Sequence, residues 1–81
     1  MRLDIFLSKI GIIKRRTMAK ELADSGLIKV NDKKAKPARD IEPSDIIRIS
    51  GRKAIVIEVL KLPKGSVRKE ERPDYYRQLP A

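Results

Sequence analysis

Between Arg2 and Asn31 the spacing of apolar residues changes from helical to alternating, with a glycine at each stop. Leu3, Phe6, Leu7 and Ile10 follow the i, i+3, i+4, i+7 pattern of one helical face. Asp4 falls in the first turn, where a carboxylate suits the positive end of the helix dipole. Gly11 stands where a left-handed residue would close this helix. Ile12 and Ile13 then read as a short connector plugged into the core. A second helix is predicted from near Arg15 to about Ser25, with Met18, Ala19, Leu22 and Ala23 on its buried face and Gly26 as its stop. Each residue turns about 100°, so Lys20 lies on the side away from Met18 and Leu22. The two stripes would pack the helices together as a hairpin. After Gly26, Ile28 and Val30 alternate with Lys29, which predicts a strand over Leu27–Val30.

The remaining pattern is mostly that of strands and turns. Asn31-Asp32 suits a tight turn because both residues tolerate positive φ. Lys33, Lys34 and Lys36, before Pro37, form a basic loop or short edge strand. Glu42-Pro43-Ser44-Asp45 reads as a turn, Ile46–Ser50 as a strand, Gly51-Arg52 as a turn and Lys53–Leu60 as a return strand. Ile55, Ile57 and Val59 would share one face, and Val56, Glu58 and Leu60 the other. Pro63 to Ser66 marks a boundary, giving a domain over 1–62 and a basic, partly ordered C-terminal tail over 63–81. Pro73 and Pro80 limit Arg68–Arg72 to a turn of helix at most. Tyr75 and Tyr76 either stack on a base or anchor the tail to the domain.

With 81 residues the chain is one domain with a modest core, and with one Phe, two Tyr and no Trp that core is aliphatic. The formal net charge is +9, from 20 Lys and Arg against 11 Asp and Glu. Clustered cations of this excess point to a polyanion, because they release condensed counterions when they meet phosphates. A nucleic acid fits better than an anionic membrane surface or charge kept only for solubility. Cysteine and histidine are both absent, which removes disulfides, thiolate metal sites, a Cys nucleophile and the commonest general base. The serines have no histidine to serve them, and Asp40, Glu42 and Asp45 surround a turn rather than an apolar cleft. No glycine-rich phosphate loop is present. The expectation is a binding protein rather than an enzyme, with no cofactor and no metal. No apolar run spans a bilayer and the N-terminus lacks a secretory pattern, so no membrane partner is expected and the expected compartment is the cytoplasm.

The candidate contact residues are basic. Arg15 and Arg16 stand at the start of the second helix, where unpaired backbone N–H groups and the dipole favour an anion. Cations there repel the dipole, so they call for a reason such as phosphate binding; the competing reading is solvation, or a pair between Arg16 and Asp4. Arg2, Lys14 and Lys20 complete the central surface, and Lys29, Lys33, Lys34 and Lys36 extend its field.

Arg2-Leu3-Asp4, then Arg16 with Ala19, Leu22 and Gly26, then Ile28-Lys29-Val30-Asn31 and Lys36-Pro37 with Asp45 resemble the alpha-L RNA-binding motif, the domain named after ribosomal protein S-four. The likeness covers roughly residues 1–60. Ile13-Lys14-Arg15-Arg16-Thr17, Ala19-Lys20-Glu21 and Lys69-Glu70-Glu71 with Tyr75 further resemble its small stand-alone members, the RqcP-like and heat-shock ribosome-associated proteins. Two positions depart from the pattern: Asp32 stands where Gly is usual after the turn Asn, and Arg15 where Ser is usual. The resemblance implies an α+β fold, two antiparallel helices packed on a small twisted antiparallel sheet. It implies that Arg2, Arg16 and Lys20 meet RNA and that Asp4 orients the helix pair. It also implies a role in ribosome-associated quality control: the protein, expected to be a monomer, would bind large ribosomal subunits that carry peptidyl-tRNA, contact large-subunit rRNA and tRNA, and support an alanine-tailing elongation partner. A general rRNA chaperone or assembly factor, a ribosome-docking protein adaptor and an accessory subunit of an RNA-modifying enzyme remain alternative readings.

Overall fold

The computed structural model describes every residue, Met1–Ala81. Two helices, α1 (Leu3–Lys9) and α2 (Arg16–Asp24), come first. Five strands follow: β1 (Ile28–Val30), β2 (Lys33–Lys34), β3 (Ile46–Ile49), β4 (Ile55–Val59) and β5 (Tyr76–Leu79). They form one antiparallel sheet in the order β2-β1-β3-β4-β5, so the α+β class expected from the sequence holds. No helix is long and apolar enough to cross a membrane.

The predicted stripe of α1 is the centre of the core: Leu3, Phe6, Leu7 and Ile10 are all buried, against Ile28, Val30, Ile47, Ile49, Ile57 and Val59 from the sheet. Gly11 adopts φ +75° and donates its N–H to the Ser8 carbonyl, closing α1. Gly26, at φ +76°, ends α2 in a Schellman motif, with Gly26 N–H on Ala23 and Leu27 N–H on Leu22.

The phase of α2 differs from the expectation. Ala19 and Ala23 are buried, Leu22 is half-buried, and Met18 is 49% exposed. Two alanines four residues apart give the closest approach of backbones, so α2 docks on α1 through that pair rather than through its larger side chains. With the contact centred between Ala19 and Ala23, Met18 lies about 120° away and Arg16 only about 40° away. The shift that exposes Met18 also turns Arg16 toward α1.

Asn31 and Asp32 both have positive φ, 51° and 68°, the requirement of a two-residue type I′ hairpin between β1 and β2. Asn31 also accepts the Ile46 N–H and donates to Asp45, tying this turn to the start of β3. The segment between β2 and β3 packs under α1. Ala35, Pro37 and Ile41 are buried, and the carbonyls of Pro37 and Arg39 accept the N–H groups of Asp4 and Leu3.

The C-terminal region is more structured than the sequence pattern indicates. Lys69–Asp74 is a 3-10 helix, closed at its start by the Arg68 N–H on the Glu71 carboxylate. Tyr76–Leu79 then pairs with β4 as the fifth strand. Both tyrosines pack against the core, which is the anchoring reading, and Lys61 Nζ sits 4.9 Å from the Tyr75 ring centre. The expected boundary near Pro63 is therefore crossed by the sheet itself.

Candidate nucleic-acid interface

Asp4 is the one buried charged residue, 1% exposed, and it lies between the helices. Its carboxylate is saturated. Oδ1 accepts from Arg2 Nε at 3.1 Å and from the Ile5 N–H at 2.8 Å. Oδ2 accepts from Arg2 Nη2 at 3.1 Å and from Arg16 Nε at 3.3 Å. Burial by itself would raise the carboxyl pKa; the hydrogen bonds from Arg2, Arg16 and Ile5, with the charge of Arg2, outweigh it and hold the group below its ordinary value.

Arg2 and Arg16 keep side-chain exposures of 41% and 53%. Arg2 is bound in a fork, whereas Arg16 is held through Nε alone, leaving its two Nη groups free to donate. Lys20, one turn further along α2, joins them. Arg2, Asp4, Arg16, Thr17 and Lys20 line one open depression of about 410 Å³ with no apolar residue in its walls. Three cations face one buried anion there, so the surplus charge is positive and directed outward.

The start of α2 adds donors. Arg15 is its N-cap residue in extended backbone, with no side-chain cap. The N–H groups of Arg16, Thr17 and Met18 have no acceptor within the protein, whereas those of Leu3, Asp4 and Ile5 in α1 are all engaged. From the sequence, Arg16 either binds phosphate or pairs with Asp4. The geometry permits both, because the pair uses Nε and a phosphate would use Nη.

The other predicted residues do not converge here. Lys14 and Arg15 are exposed beside the depression but do not line it. Lys29 and Lys34 are cross-strand neighbours on the sheet, and Lys33 sits in the hairpin. Lys36 lines a second depression with Lys34, Ala35, Ala38 and Arg39. Sequence reasoning overlooked Arg39 and Arg48. Arg48 had a signal: in Ile46-Ile47-Arg48-Ile49 it opposes Ile47 and Ile49 in a period-two strand, so it must leave the core face.

Residues 1–47 match the S4 domain family. The chain is 43% identical over 77 residues to the RQC P-site tRNA stabilizing factor of Bacillus subtilis, covering 94% of this chain and 88% of that protein. It is 46% identical over 77 residues to the factor of the same name from Streptococcus pneumoniae, covering 94% and 86%. Among solved structures, the trimeric heat shock protein 15 of Vibrio cholerae aligns with a TM-score of 0.89 at 25% identity, covering 98% of this chain and 81% of that one. The likeness to the two factors thus extends well past residue 47, into the strands that complete the sheet.

Proposed function

The chain belongs to the S4 domain family, alongside the RQC P-site tRNA stabilizing factors, and we propose that it serves ribosome-associated quality control by binding large ribosomal subunits that still carry peptidyl-tRNA. The observation that carries this reading is the Asp4 clamp. A buried carboxylate fixes two guanidiniums of neighbouring helices side by side, with Nη donors and Lys20 free toward solvent. Such a fork matches the paired oxygens of a phosphodiester, and its rotamer freedom is already spent before RNA arrives.

The mechanism is recognition without chemistry. Structured RNA is read largely through backbone and shape, and the depression offers the charge and the donors that a phosphate backbone needs. Lys14 and Arg15 extend the contact beside the start of α2. In this reading the protein lies between large-subunit rRNA and the tRNA and holds the tRNA in place while an alanine-tailing partner extends the stalled chain. Its membership among factors named for P-site tRNA stabilisation supports the tRNA as one of the two contacts.

Crosslinking of the tagged protein in cells, followed by sequencing of the attached RNA, tests this. Crosslinks concentrated in tRNA and one large-subunit rRNA region are expected. Diffuse crosslinks over precursor rRNA would replace the proposal with an assembly role, and an absence of RNA crosslinks would replace it with a protein adaptor.

A further inference from the structure

One buried side-chain nitrogen in the chain has no hydrogen-bond partner, Arg72 Nε. Arg72 lies in the 3-10 helix, and its carbonyl accepts the Tyr75 N–H just before β5. Its side chain enters no ion pair. Instead the guanidinium covers Gly11, the residue that closes α1. A methyl group built on Gly11 would meet the central carbon of the guanidinium first, then Nη1 and Nε, so the flat face rather than an edge lies on the turn. The carbonyls of Lys9 and Ile10 accept no hydrogen bond within the protein, and the helix dipole favours a cation at this end. Two residues before Gly11, Lys9 Nζ donates to the Gly65 carbonyl at 2.9 Å. The segment that follows β4 therefore meets the end of α1 at two points.

An apolar side chain would cover Gly11 without leaving a buried donor unpaired, so the guanidinium is there for its flat shape and its charge. From Gly11 the chain runs through Ile12 and the buried Ile13 to Lys14 and Arg15, which are exposed beside the Asp4 depression. Neither Lys14 nor Arg15 has an ion pair or a side-chain hydrogen bond, so only the course of the backbone places them. That course starts at a glycine in left-handed conformation, the residue type with the widest backbone freedom. We infer that Arg72 is a positioning residue for the RNA surface: set on Gly11, it fixes the turn that presents Lys14 and Arg15. The affinity of the helix side for RNA then depends on the 3-10 helix at the other end of the chain. This rests on the RNA-binding reading above and adds a residue that acts on that surface without touching RNA. Two cations held in place before RNA arrives lose less freedom on binding than two on a loose turn.

The test uses the full chain and a dye-labelled structured RNA hairpin, with affinity read by anisotropy at several salt concentrations. All variants are compared at a temperature where circular dichroism shows them folded. Arg72→Ala is expected to weaken binding by about fivefold, and Lys14→Gln/Arg15→Gln by about tenfold with a salt slope shallower by about two. Combining Arg72→Ala with Lys14→Gln/Arg15→Gln should match the two-site variant within about twofold, because Arg72 has no effect once the cations it places are gone. Arg72→Lys keeps the charge without the flat face and should bind like Arg72→Ala; should Arg72→Ala not fold, it carries the same comparison. Losses that multiply in the combined variant would overturn the inference, since Arg72 would then meet RNA itself. Full affinity in Arg72→Ala would reduce Arg72 to a prop of the fold, and full affinity in Arg72→Lys would reduce it to a distant charge; either overturns the positioning role. Lys20→Gln separates this from the wider reading. If it weakens binding while Arg72→Ala does not, only the positioning role fails; if it leaves binding unchanged, the helix-side RNA surface fails and the inference with it.

Discussion

Arg16 Nε donates to the buried carboxylate of Asp4 across 3.3 Å, twelve residues away in sequence and on the other helix. The contact joins α1 to α2 where Arg2, Arg16 and Lys20 converge. The ion pair and the proposed RNA-binding surface therefore share the same side chains.

Asp4→Asn keeps the shape of the side chain but loses the charge that holds both guanidiniums. The two arginines remain near water, so they can resolvate, and the cost is far below that of stranding a charge in a core. A loss of about 1–3 kcal/mol is expected in denaturant unfolding. RNA affinity should also fall, although the substitution makes the surface more positive, because Arg2 and Arg16 are no longer pre-aligned. A rise in affinity would mean that charge alone, not geometry, governs binding.

The same carboxylate gives the stability a pH dependence. Its pKa in the folded chain is below the ordinary value of 3.8. The unfolded chain therefore binds the proton first, and stability falls as pH falls. The contribution of Asp4 is fully present above about pH 5 and is lost progressively below about pH 4. Thermal melts of the wild type and Asp4→Asn from pH 2 to 6 should converge at the acid end. Parallel curves would show that Asp4 is not held in its ionised form by these partners.

Gly11→Ala should cost more than Gly26→Ala. Both residues have positive φ near 75°, which by itself costs an alanine about 1 kcal/mol. A methyl group at Gly26 would make only ordinary contact with the Lys34 side chain. At Gly11 it would run into the guanidinium of Arg72, whose Nε is buried there without a partner. Adding Arg72→Ala to Gly11→Ala should recover part of the loss. Melting temperatures of the three variants check the order, and equal losses for the two glycines would contradict it.

Truncation after Leu62 should destabilise the whole domain rather than trim a tail. It removes β5, the Tyr75 carbonyl that accepts the Leu60 N–H, and the two rings that pack against the core. Loss of a cooperative thermal transition in the 1–62 fragment is expected. A fragment melting like the full chain would make 63–81 an appendage.

How much of this could be read beforehand follows from what each element relies on. The stripe of α1 and the alternation in β1 and β3 are carried by large aliphatic side chains, and those elements appear in the structure with ends within about two residues of the expectation. The phase of α2 departs from the expected face at Met18 because the contact is centred on Ala19 and Ala23, which carry little hydrophobic weight in a pattern that includes Met18 and Leu22. Tyr76-Arg77-Gln78-Leu79 gives almost no strand signal between two prolines; it becomes a strand because β4 offers an edge that needs pairing. A pair between Arg16 and Asp4 is one of the two readings the sequence allows, but its two-arginine form, and the cross-strand placement of Lys29 and Lys34, depend on tertiary register.

The helix phase has its own check. Ala19→Asp places a charge at a fully buried contact and should leave no folded domain, while Met18→Gln should stay within about 0.5 kcal/mol of the wild type. Circular dichroism melts decide it, and the opposite order would mean that α2 is rotated.

The most direct measurement is co-sedimentation of the protein with purified large ribosomal subunits, either empty or carrying peptidyl-tRNA, at several salt concentrations. Lys20→Gln serves as the probe variant because Lys20 has no partner within the protein, so the fold should be untouched. The expected result is preferential binding of wild type to tRNA-bearing subunits, steep loss with salt, and weakened binding with a shallower salt slope for Lys20→Gln. Equal binding to empty and tRNA-bearing subunits, or a variant indistinguishable from wild type at every salt concentration, would contradict the helix-side clamp as the surface that holds the tRNA.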